Sequence, residues 1–110
     1  MYRALILAAS LLFVTPAWAN DMTAGFSLKH KSEDIVQMYI GGVIHALNKY
    51  NFFNKLYGNE QLFCPPENAI FSGSFAFDVL EDVIQRKPDW KGHDADSVIL
   101  MGLRDIFPCE

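Results

Sequence analysis

Two cysteines, each beside a proline, constrain this chain more than any other feature. They stand in Phe63-Cys64-Pro65-Pro66 and Phe107-Pro108-Cys109, and the 110-residue sequence has no others. In an exported chain two cysteines pair as a rule. A bridge between Cys64 and Cys109 folds the C-terminus back onto the middle of the chain and closes a loop of about 45 residues. Chain-entropy arguments give such a closure roughly 4 kcal/mol of stabilisation. No motif sets a base or cation next to either sulfur, so a reactive free thiol lacks support.

Export is read from residues 1–19. Arg3 supplies a positive start, Ala4 to Val14 form an almost unbroken apolar run, and Pro16 precedes Ala17-Trp18-Ala19. Those are the three parts of a secretory signal with small residues at the peptidase site. The run falls short of the roughly 20 apolar residues a membrane span needs. Cleavage after Ala19 is expected, leaving one domain over residues 20–110 that a covalent staple helps to hold. No second span is expected after it, hence no membrane insertion once the signal is removed.

Losing Arg3 with the signal takes the net charge from −4 to −5. That sign argues against nucleic acid or an anionic membrane surface as partner, since both need a basic face. It permits a basic protein partner, and it equally serves plain solubility.

Periodicity predicts an all-α fold, a small bundle of three or four helices. Residues 20–31 read as a polar leader without a period. Ser32 is the expected N-cap of a first helix, with Glu33 and Asp34 well placed against its dipole. Its stripe is Ile35, Met38, Tyr39, Gly42, Val43, Ala46, Leu47 and Tyr50, at helical spacing. Gly41 and Gly42 each cost about 1 kcal/mol of helix propensity, for which the expected compensation is close approach by another helix. Residues 51–69 form a connection with a helical start through Leu56, rich in apolar side chains. A second helix starts near Ser72 or Ser74 and ends before Pro88, burying Ala76, Val79, Leu80, Val83 and Ile84. A third is capped by Asp94 and runs to about Phe107, burying Ala95, Val98, Ile99, Gly102, Leu103 and Ile106.

Catalytic chemistry is not visible. His30, His45 and His93 form no HxxxH, HExxH or Cys-x-x-Cys pattern, so no metal is expected. Glu81-Asp82 and Asp94/Asp96 read as solvated faces and caps. With no phosphate loop and no nucleophile elbow, neither enzymatic activity nor a cofactor is expected.

The order of the motifs carries a resemblance. Tyr39-Ile40-Gly41-Gly42-Val43-Ile44-His45-Ala46-Leu47 resembles the helix motif Gly-Tyr-Ile-x-Gly-x-x-x-Ala-Leu of the Rap/Tai-type immunity proteins. Phe63-Cys64-Pro65-Pro66 is similar to their mid-chain Cys-Pro, Phe77 to Pro88 to their second helix, and residues 95–109 to their last helix with its terminal Phe-Pro-Cys. The resemblance spans residues 33–109. It implies a small helical periplasmic protein that binds and blocks a secreted amidase toxin, a peptidoglycan-cleaving effector of a type VI secretion system. Occlusion of the toxin's cleft and a possible homodimer are also implied. Many members carry a further cysteine near the start of the first helix. Here Val36-Gln37-Met38-Tyr39 occupies that place, so any second disulfide is out of reach.

An occluding inhibitor needs a preorganised, protruding anchor. The loop Asp89-Trp90-Lys91-Gly92-His93-Asp94 is the first choice, with Asp96 beside it. Trp90 either fills a pocket on the partner or folds onto the core, and Asp94 either meets a cation or caps a helix. The second choice is Phe52, Phe53 and Tyr57, read as core first and dimer contact next. Two other functions fit the same sequence: a periplasmic acid-stress chaperone, and an accessory component of an envelope complex.

Overall fold

A computed structural model describes residues 22–110. The expected signal, residues 1–19, lies outside the described residues. Helix α3, Gly73–Arg86, follows its sequence most directly. Ser72 caps it by accepting a hydrogen bond from Phe75 N (3.2 Å). All five expected apolar positions, Ala76, Val79, Leu80, Val83 and Ile84, are buried. Helix α4, Ala95–Ile106, crosses it with Ala95, Val98, Ile99, Gly102 and Leu103 buried. Ile106, expected in that face, is instead 42% exposed at the last residue of the helix.

Gly102 is the point of closest approach between the two helices. A Cβ built there would lie 2.9 Å from Val83 Cγ2 and nearer still to Val79 Cγ1. Of the two glycines where close approach was expected, Gly41 meets the start of α3, for a Cβ on Gly73 would stand 3.8 Å from its Cα. A Cβ at either of the earlier glycines meets nothing within 4 Å.

Helix α2, Asp34–Leu56, is 23 residues long and absorbs the first part of the expected connection. Its N-cap is Glu33 rather than Ser32, with no side-chain cap bond. The buried face is Val36, Ile40, Ile44 and Asn51. The predicted stripe is thus rotated: Ile35, Met38 and Tyr50 are exposed. The cause is that α2 is apolar on two sides, so helical periodicity alone cannot select the inner one.

Residues 20–31 read as a polar leader without a period, yet α1, Ala24–Lys29, lies within them. Thr23 Oγ1 caps it by accepting from Phe26 N (3.1 Å), and Met22, Ala24 and Ser27 are buried. One turn of helix is too short to show a period. Its burial comes from tertiary contacts with α3, α4 and the turn between them.

The connection after α2 contains no helix and pairs with no strand. Its backbone is held by the side chain of Asn51, buried in the last third of α2. Asn51 Nδ2 donates to Phe63 O (2.8 Å), while Oδ1 accepts from Leu62 N (2.8 Å) and Phe63 N (3.3 Å). Phe63 is thereby fully buried, beside an aromatic cluster of Phe71, Phe75 and Phe107 with ring centroids 5.8–6.3 Å apart. Cys64 N donates to Phe107 O (2.8 Å), and the Cys64–Cys109 disulfide closes beside it with a Cα–Cα distance of 5.0 Å. The fold is an all-α bundle of four helices stapled by one disulfide, with no strand among the described residues. No described helix is long and apolar enough to cross a membrane.

Two stability measurements check this packing. Gly102→Ala should lose about 1–3 kcal/mol in denaturant unfolding, since the added methyl overpacks the α3–α4 contact. Asn51→Ala should cost about 2–4 kcal/mol by stranding three buried backbone groups. Exposed Asn68→Ala should stay within about 0.5 kcal/mol of the parent.

Candidate functional site

The loop between α3 and α4 is a single 3-10 turn, Pro88–Gly92, started by a proline whose missing N–H suits the first helical position. Its downstream flank is pinned by the N-terminal segment. Ala24 N donates to His93 O (2.9 Å) and Ala95 N donates to Met22 O (3.0 Å), forming an isolated antiparallel bridge between Thr23 and Asp94. Gly25 brings α1 hard against the turn, for a Cβ there would stand 3.2 Å from both Lys91 Cβ and Lys91 O. The segment read as a leader is therefore the strap that holds the loop.

Trp90 is half-buried against the core, with its indole under the Lys87 ammonium (Nζ to ring centroid 4.2 Å). His93 meets it edge-on at 5.9 Å. Trp90, His93 and Asp94 share a shallow depression of about 350 Å³ with Ser97, Val98 and Met101 of α4. Asp89 and Lys91 are exposed on the turn but do not line it. Asp96 is exposed on the first turn of α4, outside the depression, where Oδ1 accepts from Ser97 N (2.8 Å). Asp94 occupies the N-cap position without a side-chain cap bond, so its carboxylate is not engaged by the helix it precedes.

Three of the six expected residues thus come together, and Ser97 and Met101 were missed. Their spacing from Asp94 and Val98 on the outer side of α4 is helical and was there to be read. Tyr39 of α2 was missed too. Its phenol is held above its ordinary value near 10, first by burial and then by the negative charge of Asp96 and Asp94. The acidic start of α4 and the second turn of α2 therefore share one electrostatic neighbourhood.

A second, larger concavity of about 820 Å³ lies between the end of α2 and the connection. Phe52, Phe53 and Leu56 form one wall, and Pro65, Pro66 and Phe71 the other, with Lys49 and Lys55 also lining it. Phe52, Phe53 and Tyr57, expected as core, are 58%, 48% and 71% exposed. They fall on the last turns of α2, where the helix continues past the elements that cover its inner face. Phe53 stacks on Tyr57 at 6.2 Å instead.

No family model, curated protein or solved structure matches the chain. Among the described residues no three His, Cys, Asp or Glu side chains converge as metal ligands. What the Trp90 depression offers chemically is a flat aromatic surface, an imidazole and a free carboxylate on a pinned turn, an arrangement for recognition.

The Tyr39 shift has a testable sign. A phenol raised in the folded state gives a stability contribution that is complete below its unfolded value and lost as pH rises through its folded value. In an ultraviolet titration, Asp94→Asn with Asp96→Asn should bring the Tyr39 transition down towards the ordinary tyrosine value, leaving the part due to burial. An unchanged transition would remove those carboxylates from its surroundings.

Proposed function

We propose that this chain is a periplasmic immunity protein that binds and blocks a peptidoglycan amidase effector of a type VI secretion system. The observation that carries the reading is the ordered resemblance to the Rap/Tai-type proteins across residues 33–109. The geometry supports it in one respect. The Trp90 turn is short, pinned on its downstream flank and stationed next to an unengaged carboxylate, so little ordering entropy remains to be lost on binding. Trp90 is the anchor, His93 and Asp94 supply polar contacts beside it, and Asp89, Lys91 and Asp96 form the surrounding rim. Export to the periplasm and cleavage after Ala19 belong to the same proposal.

The exposed apolar end of α2 favours a second reading, a periplasmic chaperone that binds unfolded chains through that surface. Suppression of aggregation of several unrelated proteins at acid pH would sustain it.

The deciding experiment uses oxidised residues 20–110 as bait against secreted and envelope extracts of the source organism, with mass spectrometry of what is held. Stoichiometric capture of one peptidoglycan amidase, with loss of its activity, is expected. Trp90→Ala should then weaken amidase binding by more than about 1 kcal/mol in calorimetry. Because Trp90 also touches the core, Asp94→Asn serves as the companion variant, since asparagine suits an N-cap position as well as aspartate does, and should weaken binding with unaltered thermal unfolding. Full affinity in both variants removes this turn as the anchor.

A further inference from the structure

The chain is acidic overall, yet its charges are unevenly spread. Between Asp34 and Glu60 there is no acidic residue, and that stretch carries Lys49 and Lys55. Both lysines line the concavity of about 820 Å³ beside the end of α2. Among the described residues neither forms an ion pair, whereas Lys31 and Arg86 each meet a carboxylate. Glu67 also lines the concavity and pairs with neither lysine. Two uncompensated ammonium groups thus border a largely apolar hollow.

The hollow is held open by the fold. Pro65 and Pro66 form a wall with fixed φ and no backbone N–H of its own. Two attachments set that wall's distance from α2: the Asn51 bonds to Leu62 and Phe63, and the Cys64–Cys109 disulfide. Across from it, Phe52 and Leu56 lie one turn apart on α2, both exposed to water. The volume falls within the range of about 300–1,000 Å³ usual for small-molecule sites.

The placement of the lysines selects the ligand. At about 3.6 residues per turn, Phe52 and Leu56 fall between Lys55 on the bundle side of α2 and Lys49 on the outer side. A hydrocarbon chain lying along that strip covers apolar surface that otherwise faces water. Its end then comes within reach of an ammonium on either side. An apolar ligand leaves both charges unanswered, and a small anion leaves the walls wet. An anion with a long chain satisfies both.

We propose that this concavity binds one molecule of a free long-chain carboxylate, a fatty acid, its chain between Phe52–Leu56 and the Pro65-Pro66 wall and its head at Lys49 and Lys55. The proposal rests on neither functional reading above, and its test involves neither a toxin nor an unfolded client.

Calorimetric titration of dodecanoate, kept below its micelle concentration, into oxidised residues 20–110 should saturate at one molecule per chain. Dodecyltrimethylammonium has the same chain with the opposite head, and should bind about tenfold more weakly. Acetate, a head without a chain, should give no measurable binding. Lys49→Gln and Lys55→Gln should each weaken dodecanoate binding about two- to fivefold, and together they should abolish the preference for the carboxylate. Glu67→Gln should tighten it. Leu56→Asn, at an exposed position, should weaken binding of both amphiphiles about tenfold or more, with thermal unfolding unchanged. Absence of saturation, or many molecules taken up per chain, overturns the proposal. Equal affinity of the parent protein for the two head groups does so as well. Cosedimentation with phosphatidylglycerol vesicles without dodecanoate binding also overturns it, and reassigns the surface to membrane docking.

Discussion

One carboxamide carries the lower half of this molecule. The connection between α2 and α3 has no helix to satisfy its backbone and no strand to pair with, yet part of it is buried. Asn51 resolves the conflict by presenting a donor and an acceptor from inside α2, as a neighbouring strand would. Once Leu62 and Phe63 are bonded to it, Phe63 can be enclosed without stranding polar groups. Cys64 then stands where Phe107 and Cys109 arrive from α4. The disulfide secures this arrangement against the unfolded chain, but Asn51 specifies which backbone is secured.

The upper half depends on a similar device at larger scale. A few residues ahead of α2 bridge to the start of α4 and, through Gly25, press on the 3-10 turn. Recognition surfaces on loops generally lose affinity to ordering. Here the fold itself orders the turn, which carries Trp90 and leads into His93 and Asp94 where the strap bonds its downstream flank.

Legibility in the sequence followed how many signals agreed at each element. For α3, the Ser72 cap, a clean apolar stripe and Pro88 all pointed to the same helix, and its residues fell where expected. The disulfide was legible because two cysteines leave a single intramolecular pairing. For α2 the pattern was ambiguous, since apolar residues on both faces satisfy the same period: Tyr39, Val43 and Leu47 of the expected stripe pack on the core, while Ile35, Met38 and Tyr50 face outward. The α1 strap was invisible because six residues cannot display a period and its burial is tertiary in origin. Asn51 was equally hidden: nothing local distinguishes a buried asparagine from a solvated one. At the loop, chain position identified Trp90, His93 and Asp94. Ser97 and Met101 join them only through the geometry of α4, and Tyr39 only through the packing of α2 on its start.

The Thr23–Asp94 bridge also dictates an order of events. It joins the first described segment to the last helix, and the disulfide partner Cys109 is the penultimate residue of the sequence. Neither the strap nor the staple can form until α4 and the residues just after it are present. Early segments must wait for late ones, and contacts so distant in sequence slow the search for the native state. The last helix is thus the keystone of two closures, one at its start and one just beyond its end.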